Sequence, residues 1–207
     1  MVDPMLINTK ESVRHIIWEK MEKEGISISN SFGKIPDFHG SGKAADLLRN
    51  SSEWKNALTI FVSPDTAQRK VRKNAFCDGK DLIMPSPKLS DGYILLETSH
   101  TEGNENDAST IKGAFKYGRT VEKFLMVDMV VEGSVAVDKY GGRLGKGGGY
   151  GDMEISCLEY QKVIGLKTPI VSTVHEIQIL ERVPLESHDK KINMIEIYQV
   201  ANTSPVV

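Results

Sequence analysis

Between positions 141 and 152 the chain reads GGRLGKGGGYGD, seven glycines in twelve residues with Arg143 and Lys146 among them. Glycine tolerates positive φ and lets bare backbone N–H groups come close to a ligand. A loop of this kind opening into a helix can therefore cradle phosphate oxygens while the two cations neutralise them. A glycine-rich hairpin or Ω-loop built only for tight turning has the same composition. The loop is not the Walker pattern, since no Lys-Ser or Lys-Thr follows its last glycine. Nor is it a Rossmann G-x-G-x-x-G with a ribose-binding acid about 20 residues further on.

Other chemistries find less support. His15, His39, His100, His175 and His188 form neither an H-E-x-x-H motif nor an i, i+4 pair, and Cys77 and Cys157 are too few for a zinc cluster or a disulfide framework. Magnesium, held by carboxylates, is the metal left. No G-x-S-x-G elbow supports a serine hydrolase. His175 and His188 fall on late predicted strands and read as hydrogen-bonded histidines rather than proton carriers. Asp128 lies inside an apolar run, where a carboxylate needs a partner or a strand end.

The elements that must position the loop follow from periodicity. Val13, Ile16, Ile17 and Met21 recur at helical spacing over Thr9 to Glu24, with Thr9 placed as N-cap. Ser29 to Lys43 reads as a loop, Lys43 to Lys55 as a second helix, Ala57 to Val62 as a buried strand and Thr66 to Phe76 as the crossing helix. Asp81 to Met84 and Tyr93 to Glu97 are short strands, and SHTEGNENDAST is polar enough for an exposed loop. FLMVDMVV and GSVAV give two β-branched segments split at Glu132 and Gly133, directly before the glycine loop. A helix over Met153 to Val163 and strands over Pro169 to Val174, His175 to Leu180 and Ile192 to Tyr198 complete the pattern. Strands alternating with helices predict a three-layer α/β/α sandwich around a mainly parallel sheet, in one domain spanning 1–207.

Composition sets the remaining bounds. The chain has 207 residues, and 26 Lys+Arg against 28 Asp+Glu leave it no global basic field for nucleic acid or anionic lipid. The longest apolar stretch, Phe124 to Val131, is far short of the roughly 20 residues that span a bilayer. With no apolar leader before the first charges, the expectation is a cytoplasmic protein.

The segment DMVVEGSVAVDKYGGRLGKGGGYGD, Asp128 to Asp152, resembles without a gap the signature of the 5-formyltetrahydrofolate cyclo-ligases, D-l-v-i-v-P-a-l-a-F-D-x-x-G-x-R-L-G-x-G-G-G-Y-Y-D-R. Lys10 and Arg14 on the first helix, Gly79-Lys80 with Pro85, and Gln178, Pro184, His188 and Asp189 near the C-terminus match in the right order. The resemblance implies an architecture similar to the sugar-phosphate isomerase and CoA-transferase sandwich. It also implies an ATP- and magnesium-dependent conversion of 5-formyltetrahydrofolate to 5,10-methenyltetrahydrofolate, in which the formyl oxygen takes the γ-phosphoryl group and ring closure expels phosphate. Carried over by position, Lys10 and Arg14 would hold nucleotide phosphates. Arg143, Gly145, Lys146, Gly147, Gly148, Gly149 and Tyr150 would form the nucleotide loop, with Lys146 as the catalytic cation against the transferring phosphoryl group. Asp152 and Asp189 would hold magnesium, and Tyr150 would also touch the folate.

The chain departs from the family in places. Gly151 and Met153 replace the second tyrosine and the arginine of Y-Y-D-R, Gly133 replaces the proline, and Val137 the phenylalanine. Ala67-Gln68 stands where the family has Glu-Thr at its substrate site. Asp65, two residues earlier, falls on a different side of a helix there. PDTAQRKVRK adds Arg69, Lys70, Arg72 and Lys73, read as a solvated helix face. Three functions follow: the cyclo-ligase or a divergent relative, a non-catalytic nucleotide- or phosphate-binding protein on the same fold, and, last, an RNA-associated protein using the basic helix. Sequence leaves oligomeric state open.

Overall fold

The computed structural model describes residues 9–199; the reading of the N-terminal segment as leaderless rests mainly on residues outside them. Helix α1 (Lys10–Lys23) starts in a capping box: the Thr9 hydroxyl accepts from the Ser12 N–H and the Ser12 hydroxyl accepts from the Thr9 N–H. It buries Val13, Ile17, Trp18 and Met21, while Ile16, expected on that stripe, is 43% exposed. The second predicted helix is two, α2 (Ser41–Asn50) and α3 (Ser52–Asn56). Ser51 breaks the run because its hydroxyl caps the Trp54 N–H, the role serine prefers to a helix interior.

Strand β1 (Thr59–Val62) leads through a 3₁₀ turn (Thr66–Gln68) into α4 (Arg69–Cys77) and then β2 (Asp81–Pro85), which lies parallel to β1. Strand β3 (Tyr93–Leu96) runs antiparallel to β2. The segment expected to be an exposed loop carries α5 (Glu105–Ala108), and α6 (Ile111–Tyr117) leads from it to an edge strand, β4 (Arg119–Val121), antiparallel to β3. Of FLMVDMVV only Met129–Val131 forms strand, β5. Asp128 sits at its start, where its Oδ2 accepts from the Leu58 and Thr59 N–H groups at 2.8 and 3.0 Å, so the carboxylate in the apolar run has partners.

Strands β6 (Ala136–Asp138) and β7 (Arg143–Leu144) precede α7 (Tyr150–Tyr160), which begins three residues earlier than periodicity suggested. Strand β8 (Ile170–His175) is followed by a 3₁₀ turn, the two-residue β9 (Ile179–Leu180) and β10 (Met194–Tyr198). The main sheet has the order β10-β8-β5-β1-β2-β3-β4, parallel from β10 to β2. The sandwich is as the sequence predicts, with the addition of a small sheet β7-β6-β9 beside it.

Alternation along β1 builds the layers. Ile60 and Val62 pack with Leu48, Val71 and Ala75 of α2 and α4, while Phe61 packs with Ile155 and Leu158 of α7 on the opposite face. Strand β1 has β2 on one side and β5 on the other, and the chain beyond their C-terminal ends opens at the point where strand order reverses. In open α/β sheets that crevice is where ligands bind.

Candidate active site

A cleft of about 380 Å³ occupies that position. Ser63 and Asp65 reach it from the end of β1, Glu132 and Gly133 from the end of β5, and Arg143 from β7. Lys146, Tyr150, Asp152 and Glu154 come from the glycine loop and α7. Gly147 and Gly149 hold φ of 109° and 69°, conformations open to glycine at little cost, and no side chain caps the N-terminus of α7. Arg14 braces the loop from α1: its Nε–H donates to the Gly145 carbonyl at 2.8 Å, and a Cβ on Gly147 would lie 3.6 Å from its Cζ.

Lys146 Nζ lies 2.7 Å from Asp65 Oδ1, which joins the glycine loop to the end of β1. Asp65 therefore belongs to the cleft, contrary to the helix-face argument: its backbone is extended, with φ −61° and ψ 151°, and the helical turn begins only after it. Ala67 is buried among Val13, Ile17 and Ala44 and does not line the cleft.

Arg143 is 5% exposed; its Nη1 donates to the Gly133 carbonyl and its Nη2 to Asp152 Oδ1, at 3.2 and 3.1 Å. Asp152 Oδ1 also accepts the Lys190 N–H at 2.9 Å, which brings the chain next to Asp189 beside it. Lys10 pairs with Asp189 at 2.7 Å and with Glu186 at 3.3 Å. Burial works against the Asp189 charge, but the Glu186 N–H and Lys10 prevail and hold its carboxyl below the ordinary range. The sequence-predicted residues thus fall into two linked groups, Arg143, Lys146, Tyr150 and Asp152 in the cleft and Lys10 with Asp189 behind it, with Arg14 between them against the loop.

Two acids were missed. Glu132 and Glu154 are 2% and 4% exposed and both line the cleft, two buried acids whose like charges disfavour one another. Burial, then the Glu154 charge, pushes Glu132 well above the usual carboxylate range. Glu154 is raised to about 7, chiefly by burial, with Asp65 adding and Arg143 and Lys146 opposing. The available signal was an acid ending an apolar strand, where the signature quoted above has an apolar residue.

On the basic helix Arg69 is exposed and Lys70 and Lys73 partly so, as a solvated face requires, but Arg72 is not. Arg72 is 2% exposed and donates to the carbonyls of Ser63, Asp65 and Ser109 at 2.6, 3.0 and 2.8 Å, so it clamps the chain that carries Asp65. Burial lowers its pKa to about 10. Arg69 and Lys73 lie at hydrogen-bond distance from Asn106, and Lys70 is 3.7 Å from Asp46. An RNA-binding role for this cluster loses its central cation. His175 is buried with Nδ1 accepting the Ile177 N–H, the satisfied histidine expected, and His188 is exposed.

Fold and cleft together define an α/β/α sandwich with a polar cleft at the switch point of its sheet. The model of the 5-formyltetrahydrofolate cyclo-ligase family matches residues 7–198, and the chain belongs to that family. It is 31% identical over 204 residues to a methenyltetrahydrofolate synthase domain-containing protein of Bos taurus, covering 94% of this chain and 53% of the relative. The Mus musculus protein of that name is 32% identical over 197 residues, covering 90% and 53%. The chain thus spans about half the length of the curated relatives it matches. Among solved structures, a 5,10-methenyltetrahydrofolate synthetase from Aquifex aeolicus shares the fold with a TM-score of 0.57 at 19% identity, covering 91% of this chain and 89% of that one. One from Mycoplasma pneumoniae gives 0.53 at 14%, covering 90% and 97%.

Proposed function

We propose that the chain is an ATP- and magnesium-dependent cyclo-ligase that converts 5-formyltetrahydrofolate to 5,10-methenyltetrahydrofolate in the cytoplasm. The observation that carries this reading is the Lys146–Asp65 pair joining the glycine loop to the end of β1. It sets a cation where a phosphoryl group would pass between a nucleotide on the loop and an acceptor in the cleft. Positioning and charge neutralisation are what such a transfer requires of a protein.

The formyl oxygen would form a bond to the γ-phosphorus as the bond to ADP breaks. The neighbouring amine nitrogen would then attack the formyl carbon, lose its proton and expel phosphate. Lys146, released from Asp65, would follow the charge on the transferred oxygens. Arg14 and the positive-φ glycines would hold the loop open toward nucleotide phosphates, with Lys10 beside them, and Tyr150 would offer a flat wall to the pterin. Magnesium takes one or two protein carboxylates and completes its shell with phosphate and water. Asp152 fits, because only its Oδ1 is engaged; Asp189 has both oxygens engaged and becomes available as Lys10 turns to phosphate. When bound, the metal would neutralise phosphate charge.

Lys146→Ala should lower kcat by about 10²–10³-fold while the unliganded melting temperature stays nearly constant, since the lost ion pair is partly exposed. Unchanged turnover would remove Lys146 from this role. The buried Ala67, where the family places a carboxylate, favours a second reading: a nucleotide-binding protein on the same fold without ligase activity.

A further inference from the structure

Among the described residues, the buried side-chain polar atoms without a hydrogen-bond partner include Ser63 Oγ, Glu132 Oε1 and Arg143 Nε, and all three residues line the one cleft. Buried polar atoms in folded proteins nearly always find partners, so three orphans in one crevice mark the place of a polar ligand edge. The mechanism above uses none of the three atoms.

Glu132 is the odd member. It stands where the family signature has an apolar residue, and Gly151, across the cleft, stands where the signature has its second tyrosine. The two departures fit one another in space. A Cβ on Gly151 would come within 3.0 Å of Glu132 Oε2 and 2.8 Å of Arg143 Nη2, so a side chain at 151 would take the room that the carboxyl and the guanidinium fill. Glu154, 4% exposed, lines the same cleft, and Glu132 Oε1 stands there as an acceptor without a partner. Arg143 Nε–H and the Ser63 hydroxyl supply donors in the same crevice. Acceptors beside donors complement a ring edge that presents two adjacent N–H donors next to a carbonyl.

We propose that Glu132, backed by Glu154, is the specificity residue that reads the N–H and amino donors of a 2-amino-4-oxo heterocycle, with Arg143 and Ser63 facing its carbonyl. This deepens the ligase reading and rests on it for the ring's identity, the pterin of a reduced folate. Guanine carries the same edge, so the shared chemistry has two sources that experiment must separate.

The test compares two small probes by calorimetry: pterin, and lumazine, in which a carbonyl replaces the 2-amino donor. The full chain should bind pterin at least tenfold more tightly than lumazine. Glu132→Leu, which restores an apolar residue, should lose that preference, and Glu132→Gln, whose amide can face a carbonyl, should shift it toward lumazine. Thermal stabilisation by Mg-ATP should persist in both, which shows that they fold. Equal binding of the two probes by the unaltered chain, or pterin affinity within twofold in Glu132→Leu, overturns the assignment. Glu132-dependent binding of guanosine but not pterin overturns the pterin assignment. Glu132-dependent pterin binding without ligase turnover upholds the assignment and rejects the ligase, whereas turnover with an unchanged folate KM in Glu132→Leu does the reverse.

Discussion

Lys146 is held by Asp65 through a pair whose lysine side chain is 40% exposed, so removing either partner tests chemistry more than folding. Asp65→Asn should leave Lys146 without its anchor and weaken turnover less than Lys146→Ala does, because the cation itself remains. Comparison of the two kcat values checks this, and equal losses would mean that Asp65 touches the reacting groups. At this scale the sequence exposed what is dense or charged. The glycines, Arg143, Lys146 and Asp152 stood out, and they meet in the cleft. Asp65 was lost because a helical projection was applied to an extended segment, and Glu132 because it read as a break between strands rather than as a buried acid.

Arg72 shows how an element depends on one side chain. It crosses from α4 to the carbonyls of Ser63 and Asp65 at the end of β1 and of Ser109 after α5. A buried guanidinium replaced by an apolar group leaves three carbonyls without their donor. Arg72→Leu should therefore cost about 2–4 kcal/mol and lower the melting temperature by roughly 10 °C. A shift of a degree or two in a thermal scan would contradict the clamp. Periodicity found β1, β2, the crossing helix between them and the strands around the loop, because long-range pairing there buries continuous apolar runs. It missed β4, whose three residues lie at the sheet edge without a fully buried position, and the two-residue β7 inside the glycine-rich stretch, and with it the pairing that sets β6, β7 and β9 apart as a small sheet. In elements so short, partners rather than pattern decide the conformation.

The whole molecule carries two opposing sets of carboxyls. Asp138, despite burial, is held below the ordinary range by the Val183, Gly142 and Tyr140 N–H groups, and Asp189 is lowered as well. Their contribution to stability is present above the ordinary aspartate pKa and is lost as pH falls below about 4. Glu132 and Glu154 are raised by burial, so their contribution is complete below the ordinary value of 4.5 and is lost as pH rises through their folded pKa values, about 7 for Glu154. Stability should peak nearer pH 5 than pH 8, and Glu154→Gln should flatten the decline between them. Parallel melting curves for variant and parent over that range would mean that burial does not raise Glu154 in the folded chain.

The sandwich, the loop and the cleft converge on one reaction, and turnover tests it most directly. The purified chain mixed with 5-formyltetrahydrofolate, ATP and magnesium should develop the absorbance of methenyltetrahydrofolate, and Asp152→Asn should abolish it. Stabilisation by Mg-ATP with no product formed would contradict the ligase and leave a nucleotide-binding protein on this fold.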